Sequence, residues 1–232
     1  MGAILHYQIN HKKRNSMKTN SKVAVIGLGN IGKVVAKNLV KGNREVILAS
    51  RKLEDAQALA LGLGSLASAA ETGEAIRQAD IVVLSVWFNT IKEFMAKYAN
   101  ELQGKIIIDP SNPIAPDENG GFKKIIGENE SAGEIISALI PAGARFAKAL
   151  GSLGAASLES AAFQSPEKAV LFYATDDAGI NEEVEQLIKD NGFEPVRIGS
   201  VNQSIRMEVF GDLHEFGALG KTVTLAEAKT KL

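Results

Sequence analysis

The stretch Val23-Ala24-Val25-Ile26-Gly27-Leu28-Gly29-Asn30-Ile31-Gly32 decides the fold of this 232-residue chain. Its four leading apolar residues read as a strand buried on both faces. The glycines of Gly27-x-Gly29-x-x-Gly32 come next, and after them a helical pattern opens. Ile31, Val34, Val35 and Leu39 share one face of that helix, while Lys33, Lys37 and Lys41 share another. Three glycines at this spacing are a weak signal alone. Between a strand and an amphipathic helix they specify a turn that binds a dinucleotide. Gly27 permits the tight turn, Gly29 lets the backbone approach a pyrophosphate, and Gly32 lets helix pack closely on strand. The free N–H groups and positive end of the helix face the anion.

About twenty residues further on, at the end of the second strand, a site for NAD presents a carboxylate to the ribose hydroxyls. This chain has Ser50-Arg51-Lys52 there. A carboxylate would repel a 2′-phosphate, whereas a hydroxyl, a planar guanidinium and an ammonium bind one. The expected cofactor is therefore NADP(H).

Further apolar runs read as strands at Val46 to Ala49, Ile81 to Val86, Ile106 to Ile108, Ala144 to Ala149, Val170 to Ala174 and Val196 to Ile198. Ile180, Val184, Leu187 and Ile188 mark a second amphipathic helix. This βα succession predicts an α/β fold, a Rossmann-type doubly wound and mostly parallel sheet with a small C-terminal extension. Residues 21–165 are expected to form the NADP-binding domain and 166–232 a smaller α/β part. All six prolines lie at or beyond Pro110, so loops concentrate in the second half. The segment Asp109 to Gly127 holds three of them and reads as the longest irregular stretch, placed where ligand crevices form.

Bulk composition narrows the function. The 26 basic and 27 acidic residues nearly cancel, so no basic excess suggests nucleic acid. The chain has no cysteine, which excludes disulfides, thiolate nucleophiles and Cys-ligated metal, and any redox chemistry must come from a bound cofactor. No apolar run approaches the roughly 18 to 20 residues that span a bilayer, so a cytoplasmic protein without membrane contact is expected. Hydrolase and nucleoside-triphosphatase motifs are missing. Residues 1–20, with Lys12, Lys13, Arg14 and Lys18, read as a disordered extension or as upstream sequence ahead of a start at Met17.

The ordered set of motifs resembles the NADPH-dependent deazaflavin (coenzyme F-420) reductase family, over roughly residues 22 to 225. It comprises the glycine turn, Ser50-Arg51, Asp109-Pro110-Ser111-Asn112-Pro113, Ser131-Ala132-Gly133-Glu134, Ala147-Lys148-Ala149-Leu150-Gly151, the pair Asp176-Asp177, and Asn191-Gly192-Phe193-Glu194-Pro195. The resemblance implies a homodimer in which residues 166–232 close an acceptor cleft and hydride passes directly between NADP(H) and a deazaflavin or flavin held there as co-substrate, with few catalytic side chains. Carried over by position, Leu28, Asn30 and Ile31 hold the pyrophosphate, and Ser50 and Arg51 the 2′-phosphate. Val86 and Ala149 meet the nicotinamide end, and Ser85, Trp87, Asn112 and Pro113 complete the cofactor set. Two departures stand out. Asp55 occupies a position where the family often has Lys, and Ser85-Val86-Trp87-Phe88 replaces a common Pro.

Three further residues are candidates. Trp87 is positioned to stack on a ring or to pack under a loop. His214, in Gly211-Asp212-Leu213-His214-Glu215-Phe216-Gly217, is a candidate proton donor, but without a second His or a Cys it is a poor metal signature, and no metal is expected. Lys148 could polarise a carbonyl, contact a phosphate or sit exposed at a strand end. The leading expectation is an NADPH-dependent oxidoreductase with a flavin-like small-molecule acceptor. The alternatives are an imine or carbonyl dehydrogenase, resembling pyrroline-carboxylate reductases in its first half, and a non-catalytic NADPH sensor.

Overall fold

The computed structural model describes residues 21–118 and 120–232; the expected N-terminal extension lies outside the described residues. The chain alternates strand and helix from its first described residues: β1 (Val23–Ile26), α1 (Asn30–Lys41), β2 (Val46–Ala49), α2 (Leu53–Leu63), β3 (Ala67–Ala69), α3 (Thr72–Gln78), β4 (Ile81–Leu84), α4 (Ile91–Lys97) and β5 (Ile106–Asp109). A two-stranded hairpin follows, β6 (Ile114–Pro116) with β7 (Phe122–Lys124). The chain continues through α5 (Ala132–Ser137), β8 (Arg145–Ala149), α6 (Ala155–Ser160), β9 (Val170–Ala174), α7 (Asn181–Asp190), β10 (Glu194–Gly199) and α8 (Leu225–Lys229).

Eight strands form one sheet in the order β10-β9-β8-β5-β4-β1-β2-β3. From β3 to β8 all neighbours are parallel and in register, with Val23 opposite both Val46 and Ile81. Both faces are covered, as continuous apolar strands require. Along β1, Val23 and Val25 join the core under α1 and α7, while Ala24 and Ile26 join the core under α3, α4 and α5. The chain leaves β1 toward β2 and returns to β4 on the other side, so a crevice opens at the carboxyl ends of β1 and β4, the switch point of an open α/β sheet.

Three features differ from the pattern read off the sequence. The strand predicted to reach Val86 ends at Leu84, which leaves Ser85 and Val86 in the turn above the sheet. The stretch Asp109 to Gly127 contains the β6–β7 hairpin, whose edge accommodates Pro116. Finally, β9 runs antiparallel to β8, and β10 runs parallel to β9.

Beneath the crevice, Asp109 and Lys148 face each other across β5 and β8. Both are buried; Lys148 Nζ donates to Asp109 Oδ2 at 2.6 Å and to the Ser111 carbonyl. The other carboxylate oxygen accepts the Ser111 N–H at 2.9 Å. Lys148 is therefore not an exposed strand-end lysine. A buried charge left without its partner is costly, so Lys148→Met should lower stability by about 3–5 kcal/mol. Adding Asp109→Asn to the same chain should recover most of that loss, as read by urea denaturation, because no buried charge then remains.

Candidate functional site

The turn after β1 is built by backbone crowding. Gly27 sits at φ +90°, and its N–H donates to the Ala49 carbonyl at 2.9 Å. A Cβ on Gly27 would collide with the Ser85 carbonyl, and one on Gly32 would collide with the Gly27 carbonyl. Gly29 differs from both: its φ of −74° suits any residue, and a Cβ built on it meets no atom within 4 Å. Nothing in the chain explains a glycine there. Gly29 is also the N-cap of α1, with no capping side chain and no acidic residue in the first turn, so the helix end keeps its free N–H groups and positive potential.

At the end of β2, Ser50 Oγ bonds the Lys52 backbone, donating to its carbonyl at 2.5 Å. The Arg51 and Lys52 side chains are exposed and, among the described residues, make no hydrogen bond or ion pair. Two free cations thus stand at the edge of the crevice, with the Asp55 carboxylate also among its lining groups.

The crevice is a cleft of about 2230 Å³, larger than the roughly 300–1,000 Å³ typical of a single-ligand pocket. One half is walled by the β1–α1 turn, the end of β2, the Ser85–Phe88 turn and α4. The other is walled by the loop after β5, the hairpin, the turn from β8 into α6, and residues 209–216. Four large aromatic side chains that border it are more than half exposed: Trp87 57%, Phe122 51%, Phe210 52% and Phe216 60%. Phe210 holds a left-handed backbone, φ +72°, strain of about 1–3 kcal/mol that clusters at ligand sites.

Of the residues singled out in the sequence, Gly27, Leu28, Gly29, Asn30, Ile31, Ser50, Arg51, Lys52, Ser85, Val86, Trp87, Asn112 and His214 all line this cleft. Gly32 is packed beneath it. Pro113 and Ala149 are buried and do not line it. The Asn112 amide is spent on the scaffold: it donates to the Gly151 carbonyl at 3.0 Å and accepts the Val209 N–H at 2.7 Å, joining three loops around the cleft. Sequence reading missed Phe122, Phe210 and Phe216. Their common signal is an aromatic residue directly beside a glycine, Gly121, Gly211 or Gly217.

Residues 22–113 match the model of the family described as NADP oxidoreductase, coenzyme F420-dependent. That match, with the glycine turn inside it, supports an NADP-dependent oxidoreductase. The match ends at Pro113, so the hairpin, Glu215 and three of the four aromatics lie outside it. A hypothetical protein from Sinorhizobium meliloti shares the fold at 26% identity and a TM-score of 0.76, over 88% of this chain and 95% of its own. An Arthrobacter structure described provisionally as an F420-dependent NADP reductase aligns at 23% identity and a TM-score of 0.67, over 79% of this chain and 86% of its own. A reductive aminase from Aspergillus terreus, in complex with NADPH and ethyl levulinate, aligns at 19% identity and 0.55, over 79% of this chain and 56% of its own. No curated protein sequence matches the chain. No helix among the described residues is long and apolar enough to cross a membrane, and no cluster of three metal-ligating side chains occurs among them.

His214 is buried, and its ring Nδ1 accepts the Phe216 N–H at 3.0 Å. The Phe216 bond leaves the ring proton on Nε2. Burial, opposed by neighbouring Glu215, lowers the pKa from 6.5 to about 4. His214 is thus a neutral brace for the loop that carries Phe216. As the pH falls from 6.5 toward 4, the unfolded chain takes up a proton that the folded one refuses, and up to about 3 kcal/mol of stability is lost. His214→Asn, which keeps an oxygen for the Phe216 N–H, should flatten that loss when urea midpoints are compared at pH 7.5 and 5. An undiminished loss in the variant would assign the pH dependence elsewhere.

Proposed function

We propose that the protein transfers hydride between NADP(H), held in the first half of the cleft, and a flavin-like acceptor in the second. The observation that carries the cofactor half is Gly29, a glycine that neither backbone angle nor protein packing requires. The N–H groups at the start of α1 would receive the pyrophosphate, and the side chains of Ser50, Arg51 and Lys52 the 2′-phosphate. When bound, NADPH supplies a hydride from its nicotinamide, the acceptor takes it with one proton from water, and NADP+ is left. The chain's own work is placement and the exclusion of water.

The acceptor half supports a ring compound because its open side chains are aromatic faces, which bind flat conjugated surfaces by stacking and by burial. No side chain there is set up as a general acid. His214 is neutral, with Nδ1 taken by the Phe216 N–H, and the proton that completes a reduced ring is assigned to solvent. An imine or carbonyl substrate remains the alternative. The β5 and β8 loops and residues 209–216, cross-linked through Asn112, hold the walls of the second half in one arrangement.

Two substitutions test the cofactor half. Arg51→Ala should weaken NADPH by about 1.5–3 kcal/mol, the scale of charged hydrogen bonds, and leave NADH nearly unchanged. Gly29→Ser adds a side chain that meets nothing in the protein and caps α1, so thermal stability should hold or rise. NADPH affinity should nevertheless fall about tenfold or more, a loss of at least ~1.4 kcal/mol. Isothermal titration with both nucleotides reads each outcome. Equal losses for NADPH and NADH in Arg51→Ala would remove the 2′-phosphate role.

A further inference from the structure

The two halves of the cleft carry opposite electrostatic characters. Every lysine and arginine that lines it, Lys33, Arg51, Lys52 and Lys97, belongs to the cofactor half. Among the described residues, the acceptor half is lined by one carboxylate, Glu215, by a neutral His214, and by no cation. The basic residues nearby are committed elsewhere. Lys148 is buried in its pair with Asp109, and Lys124 donates to the Glu128 and Glu130 carbonyls. Arg206 is paired with Asp212 at 2.8 Å. Lys123 follows Phe122 along β7, where successive side chains point to opposite faces of the strand, and it is absent from the cleft wall.

The helix ends that could have received an anion are also taken. Glu215 Oε1 accepts the Gly154 N–H at 2.7 Å at the start of α6. Glu208, fully buried, accepts from Ser131 Oγ and from the Ala132 and Gly133 N–H groups at the start of α5. Both carboxylates come from the C-terminal segment.

We propose that the acceptor is an uncharged planar ring compound, such as a flavin without a phosphate, and that phosphate-bearing flavins and deazaflavins are discriminated against. The ring part of this statement rests on the function proposed above; the charge part rests on the cleft wall alone. An anionic group would be stripped of water beside Glu215 with no cation to meet it, whereas a neutral ring gains the aromatic faces at no such cost.

The test is a binding titration on the NADP+-loaded protein, followed by the fluorescence of Trp87, the sole tryptophan of the chain, which borders the cleft. Two matched pairs are compared: riboflavin with FMN, and ethyl levulinate with levulinate. In each pair the members share a reacting group and differ mainly by an anionic group. The neutral member should bind about tenfold tighter or more at low salt, and added salt should narrow the gap by screening. Glu215→Gln, which retains an oxygen for the Gly154 N–H, should raise FMN affinity and leave riboflavin unchanged. An unaltered FMN-to-riboflavin ratio in that variant would overturn the role of Glu215. FMN binding as well as riboflavin in the unmodified protein would overturn the proposal. Binding of the ester pair with no binding of either flavin would overturn the ring reading while the ester-to-acid ratio still decides the charge. Failure of all four to bind would overturn both.

Discussion

The contact between the first glycine turn and the strand beside it is the constraint on which the rest of this structure depends. Gly27 and the Ser85 carbonyl, and Gly32 and the Gly27 carbonyl, lie so close that a single Cβ at either glycine would force β1, β4 and α1 apart. That closeness brings the N-terminus of α1 directly over the sheet edge at the switch point. It also puts the Ser85–Phe88 turn within the same cleft as the turn that would hold the pyrophosphate. A cavity at the carboxyl end of the sheet is the result of close packing below it.

The other half of the cleft is organised by polar side chains that spend their hydrogen bonds on the backbone. Asp109 and Lys148 fix the ends of β5 and β8 under the cleft. Asn112, Glu208, Glu215 and His214 each satisfy N–H or C=O groups of a neighbouring loop. Such groups cost free energy when buried unpaired, so the network holds the loops in one arrangement. It presents Phe210 and Phe216 to the cleft from a segment with little regular structure. The residues that look most like acid–base chemistry in the sequence are thereby the frame, and the large side chains left exposed along the cleft are aromatic.

Much of this was legible from the sequence for identifiable reasons. Continuous apolar runs located seven of the eight sheet strands, and β3 escaped because Ala67-Ser68-Ala69 carries no apolar run. The helix expected from Ser131-Ala132-Gly133-Glu134 is present as α5, with Ser131 accepting the Glu134 N–H at 3.3 Å. The reversal of β9 was not legible, because apolarity on both faces marks a covered strand whatever its direction.

What the sequence by itself determined is the dinucleotide half. Its recognition elements are contiguous in the chain, a strand, three glycines, a helix and the end of the next strand, and each is specified by local backbone sterics and by period. What only the tertiary structure decided is the second half of the cleft, where we propose the acceptor binds. Its walls come from the β5 loop, the hairpin, the β8–α6 turn and residues 209–216, which are about a hundred positions apart and meet only through long-range hydrogen bonds such as Asn112 to Val209. Burial and partners then decided which of its ionisable groups remain free, and neither can be read from residue type.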